Sequence, residues 1–82
     1  MKLPRDLDGD ELIRILCREW GYEVVHQQGS HTVLRTETPG HHRIAVPRHR
    51  TLRVGTLAAI VRSVAVHKQV TRDRVVQSLL GG

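Results

Sequence analysis

Residues 27 to 50 read QQGSHTVLRTETPGHHRIAVPRHR, and the first group in them able to move a proton near neutral pH is His31 in the triplet Gly29-Ser30-His31. A histidine at the start of a strand, just after a Gly-Ser turn, can present its ring to a substrate as general base or acid. The same position also suits a surface histidine bonded to its own turn, and position alone favours that plainer reading. Ser30 is not a nucleophile paired with His31, because neighbours on a strand point to opposite faces.

The other histidines raise the question of a metal. His41 and His42 are adjacent on an expected strand and diverge for that same reason, while His26 and His49 have no cysteine or well-spaced carboxylate to complete a ligand set. No metal site and no cofactor are expected. His67 falls near a helix end, where an imidazolium answers the helix dipole. No nucleotide-binding glycine loop, paired carboxylates or Ser/His/Asp spacing is present.

The segment PRHRTLRVGT carries a second kind of chemistry. Arg48, Arg50 and Arg53 lead into an expected helix start with Thr56 as its N-cap. Free amide groups, the hydroxyl and the positive dipole end together suit a phosphate.

Elements that could position these groups follow from the pattern. LDGDELIRILCREWGY reads as a helix with Asp8 as N-cap, Glu11 as capping-box partner, Gly21 past its end, and Leu7 and Leu12 as a hydrophobic staple. Its apolar face is expected to carry Leu12, Leu16 and Trp20, with Ile13 and Cys17 beside them. Three strands follow, YEVVHQ, HTVLRTE and HHRIAV, with Pro39 and Gly40 expected to form a type II turn between the last two. A helix with Leu57, Ile60, Val61 and Val64 buried comes next, then a shorter one from about Thr71 to Leu80 that offers Val75, Val76, Leu79 and Leu80.

The fold class is therefore α+β: a three-stranded antiparallel sheet with helices on one face, a two-layer sandwich in the order α-β-β-β-α plus a short C-terminal helix. Alternation along the second strand places His31, Val33, Arg35 and Glu37 on the open face and Thr32, Leu34 and Thr36 toward the core.

Composition bounds what this fold is for. The 82 residues suit one small domain, 1–82, and the 13 Lys and Arg against 8 Asp and Glu give a formal charge of +5, nearly all of it from arginine. Arginine favours bidentate phosphate contacts, so a polyanion is the natural partner, although solubility alone also uses such charge. With only Trp20 and Tyr22 as aromatics, any nucleic acid would be held by phosphates, shape or a few polar contacts rather than by base stacking. The lone Cys17 lies in the helical pattern and is expected to be an inert, partly buried thiol. No signal peptide or membrane span is read, which makes the cytoplasm the expected compartment.

Taken in order, the first helix ending WGY, then GSH, then IAVPRH, then GTLAAIVRSV, resemble the HicA (YcfA-like) toxin family of toxin–antitoxin pairs over almost the whole chain. The resemblance implies a fold like that of double-stranded RNA-binding domains. It also implies a ribosome-independent mRNA-cleaving activity, neutralised by a HicB-type antitoxin, with the essential histidine at His31. Ser30, Arg35, Arg43, Arg48, His49, Arg50, Arg53 and Thr56 are then the expected RNA- and phosphate-binding set, with His49 the best remaining candidate for a second acid or base. The chain departs from the family in having Gln27 and Gln28 where a basic residue often precedes the glycine, and Val64-Ala65-Val66 at a helix end that often carries glycine. A non-catalytic RNA-binding module of the same fold, and a small protein docking an acidic partner, are the alternative readings.

Overall fold

The structure, a computed structural model, describes residues 1–81, ordered as α1 (Gly9–Trp20), β1 (Glu23–Gln28), β2 (His31–Thr36), β3 (His42–Pro47), α2 (Val54–Lys68) and α3 (Arg72–Leu80). The expected α+β architecture is present, with one antiparallel sheet in the order β1-β2-β3.

Helix α1 starts where its sequence says it should. The Asp8 carboxylate accepts the Glu11 amide at 2.7 Å, and Gly21 closes the other end at φ 73° with its amide on the Leu16 carbonyl. Glu11 does not return a capping-box bond; its carboxylate pairs with Arg14 one turn on. Leu12, Ile15 and Leu16 form the buried stripe, so Ile15, absent from the expected face, replaces Ile13, which is half-buried. Three-residue spacing from Leu12 brings Ile15 inward, where Ile13 is rotated off the face.

β2 is the central strand, and its burial alternates as expected: Thr32, Leu34 and Thr36 face the helices, while His31, Val33 and Arg35 face the open side. β1 and β2 are joined by Gly29 and Ser30 alone, with Gln28 opposite His31. Gly29 has φ 58° and Ser30 has a negative φ, the φ pattern of a type II′ hairpin. That turn requires glycine at its first position, so the glycine before Ser30 sets the tight reversal that makes His31 the first residue of β2.

The β2–β3 connection departs from the expected type II turn: the Thr38–Pro39 bond is cis, and Gly40 does not have positive φ. Helix α2 also starts earlier than read. Its N-cap is Arg53, with no side-chain cap bond, so Thr56 lies in the first turn rather than at the cap. Leu57, Ile60, Val61 and Val64 are buried as expected, with Ala65 added. In α3, Thr71 caps the start by accepting the Arg74 amide, and Val75, Val76 and Leu79 are buried, but Leu80 is 54% exposed. Placed one residue beyond Leu79 on a short helix, Leu80 turns away from the face that meets the core.

Candidate functional site

His31 is exposed at the start of β2, opposite Pro47 of β3. It opens onto a cleft of about 480 Å³ whose wall also includes Pro47, His49, Leu52, Arg53 and Thr56. Four of the expected site residues, His31, His49, Arg53 and Thr56, thus share one cavity although they come from a strand, a loop and a helix start.

The loop between β3 and α2 is held in place by main-chain bonds from both sides. The Arg48 amide donates to the Ser30 carbonyl at 2.6 Å, tying the loop to the turn that carries His31. The Gly9 amide donates to the His49 carbonyl at 2.9 Å, and the Leu52 amide to the Leu7 carbonyl at 3.0 Å. Gly9 fits because it lacks a side chain: a Cβ there would lie 2.0 Å from the Pro47 carbonyl oxygen. The Arg48 guanidinium adds a 2.8 Å ion pair to Asp10. The N-terminus of α1 therefore acts as a clamp on the loop that bears His49. Pattern reading missed this role of Gly9 and Asp10, because it saw only a helix start in them.

At the start of α2 there is no acidic residue in the first turn and no side-chain cap. The first amides of the helix and its positive dipole end lie beside Arg53 and Thr56 in the cleft wall, an arrangement suited to an anion.

The remaining expected contacts are distributed differently. Ser30 is exposed beside His31, and its carbonyl is the group holding Arg48. Arg48 is engaged by Asp10, and neither it nor exposed Arg50 lines the cleft. Arg35 is held on the open face by Glu23 at 2.5 Å and Glu37 at 3.5 Å, whereas Arg43, opposite it in register, is exposed without an ion pair among the described residues. The open sheet face is thus less positive than a count of arginines suggests.

A second histidine cluster lies at the other end of β3. His42 Nδ1 is 2.8 Å from the Tyr22 hydroxyl, and His42 Nε2 is 3.0 Å from Ser63 Oγ. Burial pushes the Tyr22 hydroxyl up to about 12, so it keeps its proton beside the His42 ring. Burial, then His67, Lys68 and His41, lower the His42 pKa below its ordinary value of 6.5. His67 does lie in the last turn of α2, but its ring stacks on His42 with centroids 4.5 Å apart rather than serving the helix end alone. His41, just before β3, points elsewhere, to Glu37 at 2.9 Å in the β2–β3 connection. Burial and then Glu23 raise the pKa of half-buried Cys17, which suits an inert thiol.

The family model described as HicA toxin of bacterial toxin-antitoxin matches residues 9–70. The chain belongs to the HicA toxin family. As a HicA toxin it is the toxin half of a toxin–antitoxin pair, and an antitoxin is its partner. The matched span opens at Gly9, the residue packed on the site loop, and runs through all three strands and α2. Neither the curated proteins nor the solved structures provide a match to this HicA chain. Among the described residues no three His, Cys, Asp or Glu side chains group to hold a metal ion, and no helix is long and apolar enough to cross a membrane.

Proposed function

We propose that this HicA toxin is a metal-independent endoribonuclease that cleaves mRNA with His31 as its proton-transfer group, and that a HicB-like antitoxin neutralises it by covering the His31 cleft. The observation that carries the reading is the convergence of His31, His49, Arg53 and Thr56 on one open cleft at the start of α2.

An imidazole nitrogen of His31 takes the proton from a ribose 2′-hydroxyl, and the 2′-oxygen attacks the adjacent phosphorus. The bond from phosphorus to the 5′-oxygen breaks as His49, acting as acid, delivers a proton to that oxygen. Arg53 and the uncapped amides of α2 stabilise the charge that builds on the phosphate, a task for fixed donors in a cleft. Arg43 and Arg50 guide the backbone, and the scarcity of aromatics leaves base stacking a minor part. The substrate strand leaves as a 2′,3′-cyclic phosphate on one fragment and a 5′-hydroxyl on the other.

Incubating the purified protein with a defined RNA in EDTA and analysing the fragment ends tests this directly. Cyclic-phosphate and 5′-hydroxyl ends support it. RNA that binds but stays intact favours a binding module without turnover, a reading consistent with the exposed Gln27 and Gln28 in place of a basic residue.

A further inference from the structure

β3 and α2 run antiparallel, and their lengths match. A six-residue strand spans about 20 Å and the 15-residue helix about 22 Å. A cleft lies at each end of this pairing. The His31 cleft takes Ala45 and Pro47 from β3 and Thr56 from α2. The other, about 400 Å³, lies between His42 of β3 and Ala59, Arg62, Ser63, Val66 and His67 of α2. Thr56, Ala59 and Ser63 follow helical spacing along one face of α2, so the two clefts are joined by a single flank.

Between them runs the outer edge of β3. It ends the sheet, and among the described residues no backbone group bonds to it. The direction of its free groups follows from the ladder. Arg48 donates inward to Ser30, its partner one step beyond the His31–Pro47 pair. In an antiparallel ladder inward and outward residues alternate, so Val46, Ile44 and His42 bond to β2, while Arg43 and Ala45 turn their backbone groups outward and the Pro47 carbonyl, also outward, packs against Gly9 of α1. Pro47 agrees with this: it has no N–H, and proline is tolerated on an edge where the missing donor faces away from the ladder.

The chemistry of the flanks selects what can lie there. Neither cleft contains an Asp or Glu, and together they present His31, His49, Arg53, Arg62 and His67. Arg62 makes no ion pair among the described residues, and Val66 beside it is 73% exposed. An edge that offers alternating N–H and C=O groups matches a polypeptide strand and gives a nucleic acid nothing to pair with. The edge of β1 lacks these features: it bears a bulge at Val25, is exposed on nearly all of its side chains, and borders no cleft with α2.

We infer that an extended, acidic segment of the antitoxin adds as a fourth strand to the outer edge of β3, bonding to the backbone of Arg43 and Ala45, with an apolar side chain against Val66 and carboxylates at Arg62 and Arg53. This rests on the antitoxin being a protein, and it deepens that reading by naming the surface and the mode of pairing. A strand so placed reaches the His31 cleft from the side of Ala45 and Pro47, which brings the antitoxin over that cleft.

The test uses amide hydrogen exchange on His31→Ala toxin, free and co-purified with its HicB-like antitoxin. In the free protein the Arg43 and Ala45 amides exchange quickly; in the complex they slow at least tenfold. Ala45→Pro removes one outward donor and weakens the complex about tenfold. Arg62→Glu, on an exposed helix position, weakens it without touching the sheet, and melting curves show that both variants fold. Unchanged exchange at Arg43 and Ala45, or protection confined to β1, overturns the inference while leaving the nuclease reading intact. Protection of β3 by a single-stranded RNA and not by the antitoxin overturns it in favour of nucleic acid. Failure of RNA cleavage by the parent protein leaves these exchange results unaffected, so the two readings fail separately.

Discussion

The amide of Gly9 donates to the carbonyl of His49 at 2.9 Å, and the α-carbon of Gly9 sits so close to the loop that a methyl group there would lie 2.0 Å from the Pro47 carbonyl oxygen. Two effects of a Gly9→Ala change therefore oppose each other. Helix propensity favours alanine by up to about 1 kcal/mol, and less at the first helical position. Backbone displacement in a packed contact costs about 1–3 kcal/mol, and the neighbouring hydrogen bond is lost as well. The contact wins: Gly9→Ala is expected to destabilise the protein by about 2 kcal/mol in urea titration, and to lower RNA cleavage more than the lost folded fraction explains. A variant as stable as the parent contradicts the clamp.

Arginines engaged in ion pairs are expected to contribute less to RNA binding than free ones. Replacing Arg53, which lines the cleft, by alanine lowers the slope of log K against log salt by about 0.7 for a single strand. Replacing Arg35, held by Glu23 and Glu37, lowers it by much less. Fluorescence anisotropy across a salt series, with His31→Ala as the non-cutting background, measures both slopes. Equal slopes for the two variants contradict this assignment.

His42 makes stability depend on pH. Its folded pKa lies below the ordinary 6.5, so the unfolded chain binds the extra proton first as pH falls. The stabilisation is fully present above 6.5 and is lost as pH drops through the folded value. The unfolding midpoint in urea is expected to fall between pH 7.5 and 5.5. His42→Gln, which keeps polar contact with Tyr22 and Ser63, flattens that slope. An unchanged slope in the variant contradicts the account.

Much of this architecture was legible in the sequence because local signals and global packing agree. Asp8 and Gly21 mark α1, and alternation along His31–Thr36 assigns both faces of β2. The misses have physical causes. Thr56 looks like a cap because Arg53 has no side chain suited to capping, yet Arg53 is the N-cap and the helix starts at Val54 regardless. Gly9 and Asp10 carry no local sign of their contact with a loop 38 residues away, so the clamp could be seen only in three dimensions. The histidines divide similarly: the divergence of His41 and His42 was expected, although His41 lies just outside β3, but nothing local says that His67 stacks on His42.

With His49 as the acid of the reaction, His49→Ala lowers the single-turnover cleavage rate by about 10²–10⁴ while leaving RNA affinity within a few-fold. Cleavage at the parent rate assigns the proton donor elsewhere.

The central claim is that His31 moves the proton in RNA cleavage. Single-turnover cleavage of a defined RNA by the parent and by His31→Ala, with EDTA present and binding checked by anisotropy, tests it most directly. The account predicts a rate lower by about 10²–10⁴ in the variant with RNA affinity retained; cleavage by His31→Ala at the parent rate would contradict it.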